Sequence, residues 1–465
     1  MKNSGLLRYL RWRVILPLTL LLVAVPGLAL AAEETISPAD TGFILMASAF
    51  VMLMVPGVAL FYGGMVSRRN VVNTLMMCFA MLCLLSIVWV LWGYSLAFGT
   101  STAGLIGSLE FLGFRGVGME AAGTLPHLAF AVFQMMFCAL TVALIAGAYV
   151  ERMRFGAFLL FGVLWATFVY APLCHWVWGG GWIGEMGALD FAGGKVVHLS
   201  SGVAALVGAL VLGARKGFGQ RPMPPHNLPL VLLGAAMLWF GWFGFNAGSA
   251  LEVGGLAASA FVVTQIAAAA AAIGWAFAEW VRHGKPTLLG AASGCIAGLV
   301  AITPAAGFVG PLAALVIGFS GGLLCFVMVT IVKHKLGYDD SLDVFGIHGV
   351  AGAWGALLTG VFAAAAIGGT PGLLEGNPAQ VGIQAVAVLA TFVFVAVATF
   401  ILLKLVGVFV PLRVSENDED TGLDLSQHGE DAYSDYVGGG VLYRESPGAS
   451  ATARSEVAPA PSNAN

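Results

Sequence analysis

Residues 190–215 read DFAGGKVVHLSSGVAALVGALVLGAR: a carboxylate, a run of small residues and one histidine lead into an apolar, Gly/Ala-rich stretch. A counterpart lies at 340–360, DSLDVFGIHGVAGAWGALLTG. In each, an Asp precedes a His by eight residues (Asp190 and His198, Asp340 and His348), and a Gly follows that His by four (Gly202, Gly352). Two such units in one hydrophobic chain point to an internal duplication with histidines at matching places.

The rest of the chain sets the solvent. Of 465 residues, 59% are hydrophobic and only 10% charged, against roughly 25% charged in ordinary globular domains. That composition is a polytopic membrane protein. A net charge of -3 and the lack of any basic cluster or nucleic-acid motif exclude a nucleic-acid binder. The six cysteines (Cys78, Cys83, Cys138, Cys174, Cys295, Cys325) fall in or beside apolar segments without CxxC spacing. They read as small buried hydrophobes rather than disulfides or metal ligands.

Residues 1–31 have the plan of a signal peptide. Lys2, Arg8, Arg11 and Arg13 precede an apolar Val14–Val25 core, and Ala29-Leu30-Ala31 supplies a cleavage site. The competing reading is an uncleaved first helix, against which the Pro26-Gly27 break and the short core argue. From Thr41 onward eleven apolar spans follow, at 42–65, 71–98, 127–149, 156–177, 191–213, 228–250, 256–281, 287–308, 310–332, 341–363 and 381–410. Each is near the ~20 residues that cross a bilayer. Loops after odd-numbered spans carry Arg68, Arg69, Arg152, Arg154, Arg215, Lys216, Arg221, Arg282, Lys285, Lys333 and Lys335; the other face has Arg115 and Lys195. The positive-inside bias puts the mature N-terminus outside and the C-terminus in the cytoplasm.

Eleven spans divide as five, five and one, an all-α membrane fold. A repeat of five spans inserts its second copy upside down, so the fifth span runs inward and the tenth outward. Eight residues are ~12 Å of helix. If each Asp marks an entry face of a ~30 Å core, the two histidines approach the midplane from opposite sides, roughly 6 Å apart in depth. A His–His contact deep in the membrane is expected. The plainer alternative makes each His a satisfied packing residue, but intramembrane ionisable groups usually face an internal cavity. A metal site would need further ligands, and His175, at the outer end of the fourth span, is the nearest candidate. Asp190 and Asp340 also suit helix N-caps; for Asp190, capping and attraction of a cation are compatible.

Aromatic residues form a second set. Trp178 closes HWVW at the outer end of the fourth span, and Phe133 and Phe137 share one face of the third at i and i+4. The sixth holds GWFGFNAGS, with Trp242, Phe243, Phe245 and Ser249. Most of the twelve Trp suit a membrane-interface belt. A cage for a small cation would use the same residue types, because ring faces attract cations without a buried fixed charge. Composition alone leaves both readings open.

Long ordered motifs then carry a resemblance. PGVALFYGGMV at 56–66, the whole 190–215 stretch, GWFGFNAGSA at 241–250, GLVAITPAAGFVGP at 298–311 and FGIHGVAGAWG at 345–355 resemble the ammonium transporter (Amt) family, relatives of the Rhesus glycoproteins, over nearly all of 40–435. The resemblance implies paired pore histidines at His198 and His348 and stacked rings closing the outer mouth at Phe137 and Phe245. It implies an outer ammonium site of Trp178, Phe133 and Ser249, backed by Asp190, with Trp242 and Thr303 beside the pore. It further implies a homotrimer with one pore per subunit, no cofactor and no enzymatic activity. Lys195 departs from the pattern, where the family commonly has a small or uncharged residue. A cation there either snorkels outward or pairs with Asp190.

The organisation expected is therefore a signal peptide at 1–31, a transporter domain at 32–412 and a cytoplasmic tail at 413–465. In the tail, 414–436 is acidic and its GLD…HGEDAY pattern is similar to the family's, which packs on a neighbouring subunit and couples to a PII signalling protein. Beyond Gly438 the Ala/Ser/Pro-rich run is too poor in hydrophobes to bury a core and is expected to be disordered. The function expected is ammonium uptake through the inner (cytoplasmic) membrane: the ion is recruited outside and deprotonated, and ammonia passes the histidines. The rival is an ammonium sensor reporting to a PII-type partner. A pore for another small neutral gas fits the aromatic set less well.

Overall fold

A computed structural model describes residues 35–433; the expected signal peptide and the segment beyond 438 lie outside them. Ten helices among the described residues are long and apolar enough to cross a membrane. They are α1 (Pro38–Met65), α2 (Arg68–Phe98), α3 (His127–Tyr149), α4 (Phe155–Glu185), α5 (Gly194–Leu212), α6 (Leu228–Gly248), α7 (Gly255–His283), α9 (Pro311–Leu336), α10 (Phe345–Phe362) and α11 (Ala379–Phe409). Within the eighth expected span, 287–308, lies the shorter helix α8, Leu288–Ile302. It stops early because Pro304 has no N–H to continue the ladder. The turn that follows is buried, and the Pro304 carbonyl accepts the Phe191 N–H instead, at 3.2 Å. Irregular backbone at membrane depth is tolerated where protein surrounds it.

Of these ten spans α3 and α5 are the most enclosed, while two thirds of the apolar windows of α9 and α11 are not buried within the chain. Large hydrophobic side chains such as Phe79 of α2, Phe277 of α7, and Leu389 and Phe400 of α11 are exposed, as a lipid-facing surface requires. Between α2 and α3 two small hairpins, Ser101–Thr102 with Ile106–Gly107 and Ala121–Ala122 with Leu125–Pro126, shape the connection. Sequence reasoning foresaw no strand there.

α5 and α10 cross where backbone meets backbone. A Cβ at Gly202 would lie 2.2 Å from the Gly349 nitrogen, and one at Gly352 would lie 2.6 Å from the Gly194 carbonyl oxygen. The glycine four residues after each histidine therefore permits the crossing. Both helices also open on a π-helical turn that holds the histidine, Gly194–Leu199 and Phe345–Gly349.

On the basic face, buried charges tie three loops together. Arg215 pairs with Glu151 and, at 2.8 Å, with Asp339. Arg152 reaches Ser341 at 2.5 Å and the Asp339 carbonyl at 2.6 Å. Burial would raise the Glu151 carboxyl, but Arg215 and the Ser67 N–H outweigh it and hold that group below the usual range. The same contest, with Arg215 and Arg152 prevailing over burial, lowers Asp339. The segment after α11 docks on this face. The Asp424 carboxylate accepts the Asn73 N–H at 2.8 Å, Leu423 donates to Asn70 at 2.8 Å, and Lys216 pairs with Asp420 at 2.5 Å.

Candidate functional site

His198 enters on the first turn of α5 and His348 on the first turn of α10. Their Nδ1 atoms are 3.2 Å apart and the rings lie nearly parallel, with centroids 5.3 Å apart. One nitrogen of such a pair must donate and the other accept, so a single proton lies between the rings and each tautomer fixes the other. Both residues are buried. The second ring nitrogen of His198, Nε2, is buried with no hydrogen-bond partner among the described residues. Buried polar atoms usually have a partner, so this nitrogen retains its capacity to accept or donate a hydrogen bond.

Aromatic rings lead away from this pair. Trp242 stacks on His198 at 5.3 Å, and Phe245, one turn on along α6, lies 5.7 Å from it. Phe245 stacks on Phe137 of α3 at 4.3 Å. Phe137 in turn meets Phe133 at 4.9 Å and the edge of Trp178 at 6.1 Å. All these residues are buried except Trp178, which is half-buried. Ser249, also half-buried, donates to the Phe245 carbonyl at 2.9 Å and keeps its lone pairs free to accept. Thr303, on the turn that ends α8, accepts from the Trp242 indole at 2.9 Å and donates to Leu299 at 2.8 Å. The broken eighth span thus orients Trp242 over His198.

Asp190 is a helix cap. Its Oδ1 accepts the N–H groups of Gly193 and Gly194 at 3.0 and 2.6 Å, and its Oδ2 that of Lys195 at 2.8 Å. Its own carbonyl accepts the Trp178 indole N–H at 2.9 Å, so the same residue seats the start of α5 and Trp178. Lys195 is fully buried and does not snorkel. Its Nζ lies 4.0 Å from the Asp190 carboxylate and donates to the Leu189 carbonyl at 2.8 Å. Asp340 caps α10 in the same manner, accepting the Phe345 N–H at 2.7 Å.

All ten sequence-derived site residues thus join one connected set, with Trp178 reaching it through Phe137 and Ser249 through Phe245. His175 stands apart: its nitrogens bond the Ala97 carbonyl at 3.0 Å and Ser101 at 2.8 Å, a satisfied structural histidine. Sequence reasoning missed Gln384. This α11 residue accepts the Leu189 N–H and donates to the Leu189 carbonyl, both at 2.8 Å, and so holds the strand of chain that precedes Asp190. A glutamine inside a long apolar helix was the available signal.

Residues 42–433 match the family model described as Ammonium Transporter Family. An ammonium transporter of Bacillus subtilis (strain 168) is 55% identical over 401 residues, covering 85% of this chain and 98% of that one. Among solved structures, Saccharomyces cerevisiae Mep2 superposes with a TM-score of 0.79 at 40% identity, covering 83% of this chain and 89% of that one. A structure titled Sensor Amt Protein superposes at 0.80 with 28% identity, covering 84% and 98%. A connected aromatic and imidazole set inside an apolar helical membrane fold, matched over most of its length, places this chain in the Ammonium Transporter Family.

Proposed function

We propose that the protein conducts ammonium nitrogen inward across the cytoplasmic membrane, as a homotrimer with one pore in each subunit, its N-terminus outside and its C-terminus inside. The observation that carries this reading is the buried imidazole pair, with its unpartnered His198 Nε2, behind the stacked Phe137 and Phe245. Ammonium settles against Trp178 and Phe133, whose ring faces attract a small cation, with the Ser249 hydroxyl as acceptor. A bare cation in an apolar passage costs many kcal/mol of lost hydration. Deprotonation at the outer site removes most of that cost, and ammonia then passes the stacked rings. At the pair, His198 Nε2 hydrogen-bonds the passing molecule. The proton released at the outer site is taken up at His198 Nε2, the His198 Nδ1 proton shifts to His348 Nδ1, and His348 Nε2 gives up its own proton inward, so that ammonia and proton leave together. The protein makes and breaks no other bond.

Current recorded from protein reconstituted in vesicles tests this. Ammonium pulses should give a saturating inward current. Folded protein that passes neither current nor ammonia would overturn the reading. The likeness to the Sensor Amt Protein keeps a second reading alive, in which the same site reports occupancy to a PII-type partner on the basic face. Partner binding that responds to ammonium without any flux would favour it.

A further inference from the structure

We propose that Lys195 is a fixed internal counter-cation for Asp190 that sets how tightly the outer aromatic site holds ammonium. The inference rests on the placing of that site around Trp178. Lys195 has no exposed surface, and its Nζ is held between the Leu189 carbonyl at 2.8 Å and the Asp190 carboxylate at 4.0 Å. Gln384 donates to the same carbonyl and fixes the strand from the other side. Asp190 in turn carries Trp178 on its backbone carbonyl.

A carboxylate on a helix N-terminus is already stabilised by the N–H groups it accepts, here from Gly193, Gly194 and Lys195. It does not need a buried lysine in order to cap. A full positive charge in a dry site costs several kcal/mol to place, so a purely structural role at this position would be met better by a neutral side chain. What the ammonium head adds is charge. With it, the Asp190–Lys195 pair is neutral overall, and a cation arriving at Trp178 feels a dipole rather than a net negative charge. Without it, the carboxylate acts on the arriving cation uncompensated, and burial keeps salt from screening it. Lys195 therefore acts through Asp190 and touches no cargo. It weakens recruitment, and with it the retention that would slow passage into the pore.

Two neutral replacements separate charge from structure. Lys195→Gln keeps an N–H donor for the Leu189 carbonyl and loses the charge; Lys195→Met loses both. Reconstituted protein is titrated with ammonium, and the half-saturating concentration and maximal current are read separately. Both variants should lower the half-saturating concentration by a similar factor, roughly 15- to 20-fold for one unit charge about 10 Å away at an effective dielectric constant of about 20. Maximal current should be unchanged or lower. A Gln variant that behaves as wild type while Met alone shifts would make Lys195 a structural donor and overturn the proposal. So would loss of folded protein in both variants, or a raised half-saturating concentration. Trp178→Leu serves as the control: if it shifts the titration and Lys195→Gln does not, Lys195 alone is wrongly assigned. If Trp178→Leu leaves the titration unchanged, the outer site itself is misplaced.

Discussion

The two histidine-bearing segments share a plan and differ in their surroundings. α5 and α10 each begin with a capping aspartate, carry the histidine on a π-helical turn, and place a glycine four residues later at the crossing. Each also has a lysine head on a nearby carbonyl: Lys195 on Leu189 at 2.8 Å, and Lys333 of α9 on Asp340 at 2.9 Å. Around α5 the neighbours are rings, with Trp242 and Phe245 on His198 and Trp178 on Asp190. Around α10 they are ions, with Lys333 paired to Asp343 and the Arg215–Asp339 bridge close in sequence to the cap. What had to stay matched is the backbone crossing and the two imidazoles. What differs is the set of side chains around each capping aspartate.

The largest expected effect would break the symmetry at its centre. His198→Ala and His348→Ala should each cut ammonium current about a hundredfold or more, the scale of losing a positioned proton-transfer group. The double variant should lose little more, because the two rings act as a unit. Folded single variants with undiminished current would leave the histidines as packing residues.

Next come the crossing glycines. Gly202→Ala and Gly352→Ala overpack a backbone contact and should each destabilise the protein by about 1–3 kcal/mol or more. Gly202→Ala should be the worse of the two, since its added carbon would meet Gly349 at 2.2 Å against 2.6 Å at Gly352. Melting in detergent checks the order; equal melting points would mean that the two sides relax alike.

A smaller effect is expected at the outer rings. Trp178→Leu should raise the half-saturating ammonium concentration roughly 2- to 30-fold, the range of a cation–π contact worth about 0.5–2 kcal/mol. Methylammonium should compete with ammonium in the wild type and lose that competition in proportion.

The ionic end should answer to pH where the ring end does not. Glu151 and Asp339 are held below their usual range when folded, so the stability they contribute is present above the unfolded values of ~4 and lost as pH falls through the folded ones. Melting temperature should therefore be flat from neutral pH to about pH 5 and fall below about pH 4. Glu151→Gln should flatten that acid limb. The least effect belongs to Lys216→Ala, whose partner Asp420 sits at a surface where both side chains are about half exposed. That variant should melt with the wild type in high salt.

Much of this comparison was legible in the sequence, because it depends on spacing. The paired eight-residue intervals already pointed to a contact of His198 with His348, and the capping role of the two aspartates followed from residue type. Pairing with Asp190 was one of two fates foreseen for Lys195, and burial selects it. Hydropathy could not see the early end of α8, since Thr303–Val309 is as apolar as a helix and only Pro304 marks the break. Nor could it see the bridge from Arg152 and Arg215 to Asp339. No periodic rule links loops more than a hundred residues apart, and their arginines served only to count charge for orientation. Docking of Leu423 and Asp424 on Asn70 and Asn73 had no signal in composition; the family's tail pattern alone hinted at an ordered segment.

The crossing of α5 and α10 also bears on how the chain is made. Its two histidines are separated by 150 residues. At a synthesis rate of about 5–20 residues per second, α5 waits roughly eight to thirty seconds in the membrane before α10 exists. During that interval the bare backbone at Gly202 and the imidazole of His198 have no partner from the second half. The contact between the two imidazoles is therefore completed last, and a nascent chain halted before Phe345 holds only one of them.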